Sequence, residues 1–121
     1  MTVLAVALAG ALGAPSRYLV ERAISARRGR YFPWGTLVVN VTGSLTLGFL
    51  TGLALYHGLA TTPKAVVGTG FIGAYTTFST YTYETVDVAE RTSARVAGTY
   101  AVVSIVAGVA GATLGLMLAA L

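Results

Sequence analysis

Apolar residues run through this chain in long uninterrupted stretches, and charged residues fall only between them. The uncharged runs are Met1–Ser16, Tyr31–Pro63, Ala65–Tyr83 and Val96–Leu121. A helix needs roughly 20 mostly apolar residues to cross a bilayer, so the last three runs qualify directly. The first is shorter, but its pattern continues past Arg17 through Tyr18-Leu19-Val20. The pattern predicts an all-α membrane protein with four transmembrane helices, at about 2–24, 34–56, 63–88 and 93–121, forming one integral membrane domain over the whole chain.

Polar and small residues inside these runs are placed, not scattered. In the first span Gly10-x-x-x-Ala14 is a close-packing pattern, and Pro15 follows it at once. In the second, Thr36, Asn40, Gly43 with Ser44, Gly48, and Thr51 with Gly52 recur at steps of three and four, which keeps them on one helix face. The fourth carries Tyr100, Ser104 and Gly108 at successive turns, and then Gly111-x-x-x-Gly115. The third differs from the others. From Gly70 to Tyr81 it holds two glycines and, from Thr76 on, five hydroxyl side chains, with no charge. Hydrocarbon offers no water to a freed backbone group, so irregular backbone at that depth survives only inside protein or beside a wet path. The segment predicts a third helix broken in mid-span, with function gathered at the break.

Composition supports the membrane reading. Only 10% of residues are charged, against about a quarter in a soluble domain. The formal net charge of +4 suggests a nucleic-acid partner until its positions are read. Arg22, Arg27, Arg28 and Arg30 lie between spans one and two, Arg91 and Arg95 between spans three and four, and Lys64 alone is basic on the other side. The positive-inside rule then puts both arginine loops in the cytoplasm and both termini outside, in a multi-pass protein of the cell membrane. The basic excess reports orientation beside anionic lipid headgroups, not a nucleic-acid partner. Absence of cysteine excludes disulfides and thiolate chemistry. Ala11-Leu-Gly-Ala14 looks like a signal-peptidase site, but no basic segment precedes the apolar stretch.

Few residues can carry chemistry. Asn40 offers two N–H donors and a carbonyl in mid-span, for an interhelical bond or for a pathway. Phe78 and Tyr81, one turn apart, suit core packing; their electron-poor ring edges also suit an anion. Thr76, Thr77, Ser79 and Thr80 around them supply hydroxyls that donate to an anion or accept from a cation. Glu84 lies one turn beyond Thr80 and, read as the only acid in or near a span, marks either a pathway mouth or the water boundary. Arg17 either snorkels to the interface or lends positive potential to an anion vestibule. His57, alone in a loop, reads as incidental. No metal-ligand cluster, phosphate loop or nucleophile motif is present, and nothing reads as an enzyme.

These residues resemble the small fluoride channels called Fluc or CrcB. The likeness covers nearly the whole chain through Gly13-Ala-Pro-Ser-Arg-Tyr18, Gly35-Thr-Leu-Val-Val-Asn-Val-Thr-Gly-Ser44, Gly70-Phe-Ile-Gly-Ala-Tyr-Thr-Thr-Phe-Ser-Thr-Tyr81 and Tyr100-x-x-x-Ser104. The resemblance implies an antiparallel dual-pore dimer that passes fluoride out of the cell and relieves its toxicity. It implies a fluoride pathway along Asn40, Thr77, Phe78, Ser79, Thr80, Tyr81, Tyr100 and Ser104, with Arg17 and Glu84 near its mouth. It also implies a structural sodium ion held by the backbone carbonyls of Gly73 and Thr76, a role that suits carbonyls freed by an unwound helix.

Two positions depart from that family's pattern. Tyr81 stands where a second pore phenylalanine is expected, and Gly108 and Ala112 stand where the polar track of span four would carry hydroxyls. The charge bias adds a third expectation. A homodimer of antiparallel subunits needs each chain to insert both ways, and a bias of six loop arginines against one lysine favours a single orientation. The second subunit is therefore either the chain itself or, as the bias favours, an oppositely oriented homologue. Two other readings compete. A proton-coupled exporter resembling the small multidrug-resistance proteins needs a deep acid in span one, and Met1–Ser16 has none. A non-conducting assembly subunit explains the glycines but not the hydroxyls of the third span.

Overall fold

The computed structural model describes residues 1–121 and is helical from end to end. Helix α1 (Thr2–Arg28) runs through Pro15 without interruption. Pro15 has no N–H for the carbonyl of Ala11, and the Ser16 hydroxyl donates to the Leu12 carbonyl beside it at 2.7 Å. The helix extends a turn beyond the expected end and stops at Gly29, whose φ of 76° is open to glycine at little cost. Arg27 and Arg28 in its last turn complement the negative end of the helix dipole. The added turn carries Ser25 to Arg28, and Glu21 lies inside the helix, as it does in the expected span.

Helix α2 (Trp34–His57) starts after Pro33 and ends at the left-handed Gly58, whose N–H returns to the Leu53 carbonyl. Helix α6 (Ala94–Ala119) starts at Ser93, whose hydroxyl accepts from Val96 N–H at 3.2 Å. These two helices pack with their backbones in contact. A Cβ at Gly48 would overlap the Ala112 carbonyl, and one at Gly115 would overlap the Leu45 carbonyl. Small residues at an interface allow this approach in a bilayer, where dispersion and not hydrophobicity draws helices together. His57 fastens the same pair at its end, with Nε2 2.7 Å from the Ala119 carbonyl oxygen. Helices α1, α2 and α6 are each long and apolar enough to cross a membrane.

The chain between α2 and α6 is built from shorter pieces. A turn α3 (Thr61–Lys64) leads into a π-helix (Ala65–Ile72), then α4 (Gly73–Tyr75). Thr76 is extended, at φ −80° and ψ 160°, and regular structure resumes only with α5 (Ser79–Arg91). The π-helix lies on α1: a Cβ at Gly70 would come 2.8 Å from the Val6 carbonyl oxygen, and one at Gly13 would overlap that of Phe71. The wider π turn and the small residues let the two backbones touch just ahead of the gap. Helix α5 packs on α6, where Val88 and Tyr100 are fully buried.

Candidate functional site

Three residues, Thr76, Thr77 and Phe78, separate α4 from α5, and their backbone groups must find partners outside a helix. Asn40 on α2 supplies two. Its Nδ2 donates to the Thr77 carbonyl at 2.7 Å, and its Oδ1 accepts from Thr77 N–H at 2.8 Å. The side-chain amide thus pairs with a main-chain amide as a neighbouring strand would, and the second Nδ2 hydrogen remains available. The Thr77 hydroxyl accepts from Thr80 N–H at 3.1 Å, capping the start of α5, and donates to the Thr80 hydroxyl at 3.1 Å.

This pairing decides which carbonyls are left over. In a continuous helix Thr77 N–H would bond to the Gly73 carbonyl and Thr80 N–H to the Thr76 carbonyl. Both donors are engaged elsewhere, by Asn40 and by Thr77 Oγ1. Gly73 and Thr76 therefore present carbonyl oxygens of the kind a hard cation takes. Arg17 reaches the second of them, with Nη1 3.3 Å from Thr76 O. Its guanidinium is turned toward the gap.

Aromatic rings continue from the gap toward the loop that joins α1 and α2. Phe78, which is 76% exposed, lies 5.7 Å from Tyr81, and Tyr81 lies 5.6 Å from Tyr100. Tyr100 meets Phe32 edge to face at 5.4 Å, and Phe32 meets Trp34 at 4.8 Å. Arg28 closes the row, 5.3 Å over the Trp34 ring. The extra hydroxyl of Tyr81 does not point into open space; it donates to the Ala101 carbonyl at 3.0 Å. The Tyr100 hydroxyl donates to Glu84 Oε2 at 3.1 Å.

The candidate residues sort into two concave surfaces. A groove of about 360 Å³ is lined by Asn40, Ser44, Gly73, Thr76, Thr77, Phe78, Tyr81 and Ser104. A wider cleft of about 800 Å³ is lined by Thr80, Glu84, Glu21, Arg22, Arg30 and Arg91. Tyr100 is buried between α5 and α6, and Ser79 and Arg17 line neither surface, although Ser79 Oγ lies 3.4 Å from Thr77 Oγ1. Two polar atoms are buried without a hydrogen-bond partner, Ser104 Oγ and Glu21 Oε1. Glu84 is therefore not alone as an acid near the spans. The sequence signal for Glu21 was its position one turn after Arg17 with no helix breaker before Gly29.

Comparison with known proteins follows the same residues. A family model described as CrcB-like protein, Camphor Resistance (CrcB), matches residues 4–116. The chain is 50% identical over 97 residues to a protein of Leifsonia xyli subsp. xyli named fluoride-specific ion channel FluC 1, covering 80% of this chain and 71% of the relative. It is 48% identical over 110 residues to FluC 2 of Mycobacterium bovis, covering 91% and 84%. It is 46% identical over 120 residues to FluC 1 of Symbiobacterium thermophilum, covering 98% and 97%. With its apolar helices and this match over almost its full length, the chain is a multi-pass membrane protein and belongs to the CrcB-like family.

Proposed function

We propose that this chain is a subunit of a fluoride-selective channel that lets fluoride leave the cell passively and so relieves its toxicity. The observation that carries the reading is the groove at the helix gap. It brings together a free Asn40 N–H, the Phe78 and Tyr81 rings and the unpartnered Ser104 hydroxyl, in a chain whose relatives are named fluoride-specific ion channels. Fluoride is small and strongly hydrated, so donors must replace its water along the route. Amide and hydroxyl donors with ring edges do this without a fixed positive charge that would trap the ion. A channel of this kind is not an enzyme.

In this reading Thr61–Arg91 forms the third crossing, interrupted in mid-bilayer at Thr76–Phe78. The exposed Phe78 ring and the groove face a second subunit packed antiparallel, and each of two pores is lined by both subunits. Thr77, Ser79 and Thr80 carry the ion past the gap, Tyr100 and Ser104 form a polar track, and Arg17 and Glu84 stand near the mouth. A structural sodium ion binds the Gly73 and Thr76 carbonyls, which the hydrogen bonding of Asn40 and Thr77 leaves without their helical donors. When bound it would offset the negative ends of these carbonyl dipoles. The arginine loops lie in the cytoplasm and both termini outside.

The second subunit is an oppositely oriented homologue. The arginine bias motivates this, and the numerals 1 and 2 in the relatives' names fit it. Liposomes loaded with fluoride test both parts. The purified assembly should release fluoride, and Phe78→Ile or Asn40→Asp should abolish release while the dimer survives. An assembled protein that passes no fluoride overturns the channel reading; full activity of this chain expressed alone overturns the paired one. Transport of cationic drugs driven by a proton gradient would instead favour a multidrug exporter.

A further inference from the structure

Many hydroxyl side chains inside these helices are satisfied by their own backbone. Ser16, Thr42, Thr46, Thr51, Thr99 and Thr113 each donate to the carbonyl one turn back, at 2.7 to 2.9 Å. This is how a hydroxyl satisfies itself in a span without a partner, and it removes the proton from use by a ligand. Ser44 on α2 and Ser104 on α6 make no such bond. Both line the groove beside Asn40, Phe78 and Tyr81. Facing Ser44 is Gly108, one turn beyond Ser104 on α6, and a Cβ at Gly108 would stand 3.7 Å from Ser44 Oγ. The hydroxyl absent from α6 at position 108 is thus matched by one reaching across from α2.

We propose that Ser44 is an ion-handling residue of the groove, whose hydroxyl donates to the passing anion at the level of Gly108 and continues the line begun by Ser104. The assignment rests on the channel reading above. Physically, a bare halide leaving the Ser104 hydroxyl needs its next donor within a few ångströms, and the α6 backbone at Gly108 has no N–H free from the helix to offer. Ser44 supplies that donor because its own helix does not claim it. The surplus of glycine on α6 brings α2 close enough for the substitution to work.

The test is fluoride efflux from liposomes carrying the purified assembly, with size-exclusion chromatography to follow dimerisation. Ser44→Ala should slow efflux by about tenfold, the effect of one lost hydrogen bond to a charged group, with unchanged elution. Thr46→Ala, which removes a self-satisfied hydroxyl from the same helix, should stay within about twofold on the same grounds. Gly108→Ser in the Ser44→Ala background should restore efflux, because the added Cβ has room and returns a hydroxyl from the opposite wall. Wild-type efflux in Ser44→Ala, or a loss that Gly108→Ser does not recover in an intact dimer, overturns the assignment. Absence of efflux from the wild-type assembly overturns the channel reading, and the assignment with it.

Discussion

Asn40 and Thr77 lie 37 positions apart and exchange two hydrogen bonds, side-chain amide against main-chain amide. A continuous α-helix through this point would engage the same Thr77 N–H with the Gly73 carbonyl, so the amide of Asn40 and the helical register compete for one donor. Asn40→Leu removes both bonds and leaves a buried peptide group unpaired. The expected cost is about 2–4 kcal/mol, seen as a lowered denaturation midpoint and faster amide exchange at Thr77. Asn40→Asp keeps the acceptor but sets a carboxylate against the Thr77 carbonyl, so it should lose fluoride efflux even where the fold survives.

Arg17 shares the Thr76 carbonyl with the proposed sodium ion. Exchange of sodium for a large organic cation should lower the melting temperature of the assembled protein. In Arg17→Leu the drop should be larger, because the carbonyl then depends on the metal alone. A melting temperature indifferent to sodium in both proteins would show that these carbonyls bind no such ion.

Tyr81 donates to a main-chain carbonyl that already serves α6, so its hydroxyl fastens the ring and is not essential to the fold. Tyr81→Phe should cost about 1 kcal/mol and leave the half-saturating fluoride concentration unchanged. A several-fold rise in that concentration would show the hydroxyl to be an ion ligand instead. Tyr81→Ile, which also removes the ring edge, should lower flux sharply.

Gly115 lies against the Leu45 carbonyl and the Phe49 N–H region of α2, where no side chain fits. Gly115→Val should separate α2 from α6 and abolish assembly, with a destabilisation above about 4 kcal/mol. Gly98, whose Cβ would meet nothing, is the internal control: Gly98→Ala should leave elution unchanged and melting the same or slightly raised, because alanine suits a helix interior better than glycine.

Much of this was legible in the sequence for physical reasons that can be named. The apolar runs and the charges between them mark α1, α2 and α6, because a bilayer sets length and composition together. The glycines and hydroxyls of Gly70–Tyr81 single out the segment in which regular helix breaks off. They do not tell which residues leave regular structure, since Asn40 decides that from another helix. The π-helical turns of Ala65–Ile72 were not legible, because they follow from packing Gly68 and Gly70 against neighbours distant in sequence. Glu21 lies within the expected first span, yet the uncharged run stops at Ser16, and a charged residue beyond that point reads as the water boundary. The partner of the Tyr81 hydroxyl was not legible either, because the carbonyl it meets lies twenty residues away on another helix.

The row of rings from Phe78 to Trp34 also gives the protein a built-in optical reporter. Trp34 is the sole tryptophan and stands at the far end of that row, beneath Arg28. Its emission therefore reports on the packing of the groups it touches, the Phe32 ring at 4.8 Å and the Arg28 guanidinium at 5.3 Å. Through Phe32 that packing is continuous with Tyr100 and Tyr81. Rearrangement at that end of the row can be followed without attaching a dye.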